Sequence, residues 1–193
     1  MSDKLYTPAE KPLGRKAYGS IPHLPGSRRG PGDHGITEAQ ANICLKALSG
    51  RHVCVIVQEK MDGSNVAVYK DLDGQLHALT RAGYPALTSP HEMHRLFHLW
   101  ALGNMYYSFH NLLRPGEWLS GEWLAQAHGI LYFGLDTPFM AFDLFTATPK
   151  RGMDDRSNPV RAPFHEFLNR VSGSGIHTVP VVHIGPALSV KKA

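Results

Sequence analysis

The stretch Glu59-Lys60-Met61-Asp62-Gly63-Ser64-Asn65 constrains this chain most. It is bracketed by Val53-Cys54-Val55-Ile56-Val57 before it and Val66-Ala67-Val68-Tyr69 after it, so residues with high β propensity flank a turn. That turn presents Lys60 with carboxylates at Glu59 and Asp62. Gly63 lets the backbone come close to whatever the lysine meets, and Ser64 and Asn65 supply local hydrogen-bonding groups. A lysine set among apolar strands can lose part of its proton affinity and act as a nucleophile. The expectation is that Lys60 attacks the α-phosphate of a nucleotide.

With 193 residues the chain has the length of one ordinary domain. It is 42% hydrophobic and 19% charged, a globular composition. No run approaches the roughly 18 apolar residues of a membrane span, and Met1-Ser2-Asp3-Lys4-Leu5 lacks the apolar centre of a signal peptide. Cys44 and Cys54 have no metal-ligand spacing and read as reduced core cysteines of a cytoplasmic protein. The net charge of +4 suits a polyanionic partner without requiring one. There is no internal repeat and no Walker-type Gly-rich phosphate loop.

Residues 1–36 are rich in Pro and Gly and lack apolar periodicity. The mixture of Tyr18, Ile21 and Leu24 with Arg28-Arg29 marks residues 18–33 as an extended, ordered loop rather than a linker. Thr37 and Gln40 have capping-box spacing, which predicts a packing helix through Ile43, Cys44, Ala47 and Leu48 that stops at Gly50. Val53–Val57 is apolar on both faces, as in a central, doubly covered strand. Asp71-Leu72-Asp73-Gly74 signals a hairpin whose return strand, residues 75–80, delivers Arg81. From Pro90 and His91 an apolar spacing of 3 to 4 through Phe97, Trp100 and Met105 predicts one helix toward Leu113, ended by Pro115-Gly116. Residues 117–124 read as a strand, in which Glu117 and Glu122 stand an odd number of residues apart and so face opposite ways. A turn and short strand are expected over 125–132, and a buried strand over 139–145. In that strand Asp143 needs a partner or a metal. A helix over 158–171 and a strand over 179–182 complete the pattern.

Lys60-Met61-Asp62-Gly63-Ser64-Asn65 resembles the K-x-D-G-x-N nucleophile motif of the covalent nucleotidyltransferases, which include ATP-dependent RNA and DNA ligases and mRNA capping enzymes. Arg81 resembles the arginine after the first hairpin, Gly121-Glu122-Trp123-Leu124 the third motif, and Phe142-Asp143 the motif after it. Gly-Glu-Trp-Leu followed by His128-Gly129-Ile130 and Tyr132 is most similar to the RNA ligase branch of phage enzymes and bacterial relatives. The resemblance implies an α+β nucleotidyltransferase (ATP-grasp-like) adenylation domain with mostly antiparallel sheets flanked by helices. It implies ATP and Mg²⁺ as cofactors, lysyl-AMP at Lys60, and RNA ends or a nicked RNA duplex as partner. It places Glu59 at the adenine edge, Asp62, Gly63 and Asn65 around the lysine, and Arg81 on phosphate or sugar. Glu122 falls on the ribose, Phe142 on the base, and Asp143 on the metal or the loop.

The family pattern continues with E-G-x-V and K-x-K. Here the glutamate after Asp143 is Glu166, without a following Gly, and Lys191-Lys192 are adjacent. The expectation is therefore an N-terminal segment (1–36) packing on an adenylation domain (37–193) that stops before the last two motifs, with impaired activity and a possible further C-terminal polypeptide. The competing readings are a DNA ligase-like fragment and a non-catalytic nucleotide- or RNA-binding remnant.

Overall fold

The computed structural model describes residues 10–46, 54–146 and 159–189. In chain order the elements are α1 (Glu38–Leu45), β1 (Val55–Gln58), β2 (Ser64–Lys70), β3 (Leu76–Thr80), α2 (Glu92–Leu99), a π-helical turn (Trp100–Asn104) and α3 (Tyr106–Leu112). They continue with β4 (Glu117–Trp123), β5 (Phe139–Thr146), β6 (Val160–Arg161), α4 (Phe164–Val171), β7 (His177–Thr178) and β8 (Val181–Gly185). Two compact units form: Met1–Tyr18 with Met61–Thr178, and Gly19–Lys60 with Val179–Ala193.

The first unit is a six-stranded sheet in the order β3-β2-β4-β5-β6, with β7 parallel to β5 and the other pairings antiparallel. This is the α+β architecture, with an antiparallel sheet and flanking helices. Strand alternation gives the sheet two faces. Val66, Val68, Leu119, Trp123 and Phe139 bury one face against Phe97, Phe109 and Phe167 of α2, α3 and α4. On the other face Ala67, Tyr69, Leu79 and Trp118 pack with Ala17 and Leu13. The Trp118 indole N–H donates to the Ala17 carbonyl at 3.0 Å, and the Arg81 carbonyl accepts from the backbone N–H groups of Ala17 and Tyr18. Residues 13–18 are thereby laced to the sheet.

Local signals are realised closely. The Asp71 carboxylate accepts from the backbone N–H groups of Asp73 and Gln75, closing the β2–β3 hairpin, with Gly74 at φ 86°. The Thr37–Gln40 capping box is present in both directions. As their odd spacing requires, Glu117 and Glu122 turn to opposite faces: Glu117 pairs with Arg170 at 2.7 Å, and Glu122 with the loop before β2. Glu117 also accepts from the Arg114 N–H at 2.8 Å. Arg170→Ala removes a guanidinium that bonds both Glu117 and the Leu112 carbonyl. Because both side chains keep some exposure, a loss of about 2 kcal/mol is expected, at or below the lower end for broken buried pairs. Urea denaturation checks it, and an unchanged midpoint would show the pair to be energetically idle.

Non-local structure departs from expectation in several places. The run ending at Val57 is not a doubly covered central strand. Residues 55–58 pair with β8 alone in a two-stranded sheet of the second unit, and Ile56 and Ile184 are exposed. An apolar run sets strand propensity but not what covers it. Helix α1 buries Ala41 while Ile43 is exposed, Cys54 is exposed rather than core, and Val53, Ala47, Leu48 and Gly50 lie outside the described residues. The single helix from His91 is split by the π turn at Trp100–Asn104. The helix expected from Asn158 starts at Phe164, because Pro163 disfavours helical backbone at Ala162 while Val160 and Arg161 pair with β5. Residues 125–138 form no strand. Pro180, which has no N–H to give a ladder, separates β7 from β8.

Among the described residues, no helix is long and apolar enough to cross a membrane.

Candidate functional site

The chain leaves the second unit at Lys60 and enters the first at Met61. Within the second unit Glu59 donates its backbone N–H to the Pro180 carbonyl at 2.9 Å, next to the β1–β8 pair, and the side chains of Glu59 and Lys60 are exposed. The nucleophile reading of Lys60 thus rests on its place in the motif, not on burial.

In the first unit the rest of the motif is held from two sides. The backbone N–H of Gly63 donates to Glu122 Oε1 at 3.1 Å, and Asn65 stands opposite Glu122 in the β2–β4 ladder. The backbone N–H of Asp62 donates to the Tyr132 hydroxyl at 2.9 Å, and Asp62 Oδ2 accepts from the Gly129 N–H at 2.7 Å. Ser64 Oγ donates to Met93 Sδ and lies 3.4 Å from His128 Nε2. A bond between a carboxylate and a backbone N–H is stronger when the carboxylate is ionised; Glu122 holds this loop on its backbone at Gly63, and the Asp62 carboxylate ties it to the backbone of Gly129. Gly63 is required by space: a Cβ there would fall on the Trp123 carbonyl oxygen and within 2.8 Å of Leu124 Cδ2.

Strand alternation places Asn65 and Glu122 on the face that carries Ala67 and Trp118. The β4–β5 register shifts between Ser120 and Gly121: Ser120 pairs with Asp143 and Gly121 with Ala141, leaving Phe142 as the extra residue of a β-bulge. Next to the bulge stands Tyr18, whose hydroxyl donates to Asp143 Oδ2 at 2.6 Å and whose ring meets Phe142 edge to face at 5.0 Å. Arg161 Nε lies 3.3 Å from Asp143 Oδ1. Burial raises the Asp143 carboxyl above its ordinary value, opposed by the Tyr18 hydrogen bond and the Arg161 charge. Burial, then the bond to Asp143, drives the Tyr18 phenol far above its usual range, with Arg161 and Arg81 acting the other way. Tyr18 is therefore a donor at any working pH.

The first unit thus gathers Asp62, Gly63, Asn65 and Glu122 in one cluster. Phe142 and Asp143 stand beside Tyr18, and Arg81 adds its charge there. Glu59 and Lys60 belong to the other unit and are joined to the cluster through the chain. Sequence reasoning missed the roles of Tyr18 and Arg161, and those of the Gly129 N–H and the Tyr132 hydroxyl. The last two lay in a segment noticed for its family pattern but read as turn and strand; Tyr18 was noticed only as part of an ordered loop, and no local signal marks Arg161.

Among the described residues, buried Asn65 Oδ1 and Ser120 Oγ have no hydrogen-bond partner. Unpaired buried polar atoms are costly unless something meets them. Asn65 stands opposite Glu122 in the ladder, and the ring of Phe142 is half-buried. A caged metal fits poorly. Both Asp143 oxygens are engaged, and among the described residues no group of three or more His, Cys, Asp or Glu could hold a metal ion.

Residues 54–193 match the family model described as RNA ligase. Two solved structures, described as archaeal ATP-dependent RNA ligase in form 2 and form 1, are similar to this chain at 21% and 22% identity with TM-scores of 0.46 and 0.45. Each match covers 70% of this chain and 33% of the other, so the chain spans about a third of the length of these structures. No curated protein matches it. The family match runs through the motif loop, the Glu122 strand and the Phe142–Asp143 bulge, and the chain belongs to the RNA ligase family.

Proposed function

We propose that this chain is the adenylation part of an ATP-dependent RNA ligase. The observation that carries the reading is the Gly63–Glu122 hydrogen bond, which joins the lysine motif to the Gly-Glu-Trp-Leu strand beside two buried polar atoms unpartnered among the described residues. In this reading the deprotonated Lys60 amine attacks the α-phosphorus of ATP. The new P–N bond forms as the bond to pyrophosphate breaks, giving lysyl-AMP. AMP then passes to a 5′-phosphate RNA end, and a 3′-hydroxyl displaces it to seal the strand. The route divides one difficult displacement into easier ones, as covalent catalysis does.

The residue roles rest on the resemblance of these motifs to those of the family. Phe142 stacks on the base, Glu122 accepts from the ribose, and Asn65 shapes the lysine loop. The resemblance assigns Glu59 to the adenine edge and Arg81 to phosphate or sugar, and Asp62 holds the loop to the 129–132 segment. Mg²⁺ supplies charge neutralisation and is held mainly by the nucleotide's own phosphates, the usual arrangement for this ion.

The test is incubation of the full chain with Mg²⁺ and ATP labelled at the α-phosphate. Label is expected on the protein, and none when the label is at the γ-phosphate. The competing reading is nucleotide binding without chemistry. It predicts bound ATP and no covalent label at any pH.

A further inference from the structure

We infer that Tyr18, which lies outside the segment matching the family, is a positioning residue that sets the Phe142 ring for stacking on the nucleotide base. The inference rests on the adenylation reading of the same site. A bulge residue is released from the ladder that would otherwise aim its side chain. Phe142 is that residue, so its direction has to be imposed by something else. Tyr18 grips both residues of the bulge, through the edge-to-face contact with Phe142 and the hydrogen bond to Asp143.

A clamp is useful only if it is itself fixed. The backbone N–H of Tyr18 and that of Ala17 converge on the Arg81 carbonyl, at 3.3 and 3.1 Å. The neighbouring Ala17 carbonyl accepts from Trp118 in the middle of the sheet. The Tyr18 ring also meets Phe145 at 5.9 Å, and Phe145 stacks on Trp118. Tyr18 is thus tied to β3, β4 and β5 at once. Its separation of 125 residues from Asp143 leaves no local trace in the sequence.

The experiment compares the full chain with Tyr18→Phe, Tyr18→Ala, Phe142→Ala and the Tyr18→Ala/Phe142→Ala pair. It reads the ATP dissociation constant by calorimetry, KM and kcat for self-adenylation, and the melting temperature. An edge-to-face aromatic pair corresponds to roughly 2- to 12-fold in affinity. Tyr18→Ala is expected to raise the dissociation constant and KM for ATP by about that factor, with the loss falling on KM rather than kcat. Tyr18→Phe, which keeps the ring, is expected to recover most of it. In the Phe142→Ala background, Tyr18→Ala is expected to add little, since two residues acting through one contact are not additive.

A lowered melting temperature with unchanged ATP affinity, or effects of Tyr18→Ala and Phe142→Ala that simply multiply, would overturn the inference. Should Tyr18→Ala not fold, Tyr18→Leu replaces it and is read the same way. ATP bound by the unaltered chain without covalent label overturns the adenylation reading alone, and the dissociation constants still decide the role of Tyr18. No ATP binding by the unaltered chain overturns both.

Discussion

Lys60→Ala is expected to carry no covalent AMP under conditions that label the unaltered chain, a loss on the order of 10⁴- to 10⁶-fold, as when the nucleophile of a covalent enzyme is removed. The side chain of Lys60 is exposed, so its truncation should leave stability within about 0.5 kcal/mol, and an unaltered urea midpoint would show that the chemistry, not the fold, was lost. Lys60→Arg separates charge from nucleophilicity. A guanidinium keeps the positive charge but does not deprotonate in proteins, so the arginine variant should bind ATP and remain unlabelled. The bond formed is a phosphoramidate, which survives denaturing gels and alkali and breaks in acid, so acid release of AMP identifies the link. Label of the same stability in Lys60→Ala would move the nucleophile elsewhere. Lys70 is a poor substitute, since it is buried with its ammonium bonded to the His110 carbonyl.

What was legible in the sequence is what short-range chemistry decides. The Asp71 carboxylate closes its own hairpin within four residues, and the Thr37 cap closes within three. The opposed directions of Glu117 and Glu122 follow from the period of a strand, and the ladder confirms that β4 is unbroken because the extra residue sits in β5. The motif order Lys60, Arg81, Glu122, Phe142 is a matter of residue type and spacing, which need no knowledge of packing, and it pointed to the family that the match over residues 54–193 shows. The cover of a strand, the start of a helix after a short pairing, and the partner of a buried carboxylate all depend on residues far away. Val53–Val57 looked central because it is apolar, yet the strand formed there, Val55–Gln58, has Val181–Gly185 as its ladder partner.

Asp143 shows the limit best. A carboxylate amid hydrophobes signals that some partner exists, and a metal and a side chain are equally good answers until the fold is known. The structure supplies the Tyr18 hydroxyl and the Arg161 guanidinium. Likewise the π turn adds one residue to a helical repeat without changing which residue types face the core. Phe97 and Ala101 stay fully buried on either side of its start, so periodicity alone could not reveal it.

Gly63→Ala is expected to cost about 10²-fold in the rate of self-adenylation, the order lost when a reacting group is misplaced by about 1 Å. The stability cost should be about 1–3 kcal/mol, as for other overpacked sites. The added methyl group would strike the carbonyl oxygen of Trp123, and Leu124 Cδ2 would stand at 2.8 Å. A side chain can rotate away, but the Trp123 carbonyl belongs to β4 and is held by the sheet on both sides. The loop must therefore move instead, lengthening the 3.1 Å bond from the Gly63 N–H to Glu122 and pulling on the two bonds that tie Asp62 to Gly129 and Tyr132. Lys60 precedes Gly63 by three residues, so a displacement of the loop displaces the nucleophile. Gly103→Ala is the control, since its Cβ would meet nothing within 4 Å and its φ is not in the left-handed region; it should retain full labelling. Equal labelling rates for Gly63→Ala and Gly103→Ala would show that the Gly63–Glu122 bond does not position Lys60, and would remove the observation on which the adenylation reading chiefly stands.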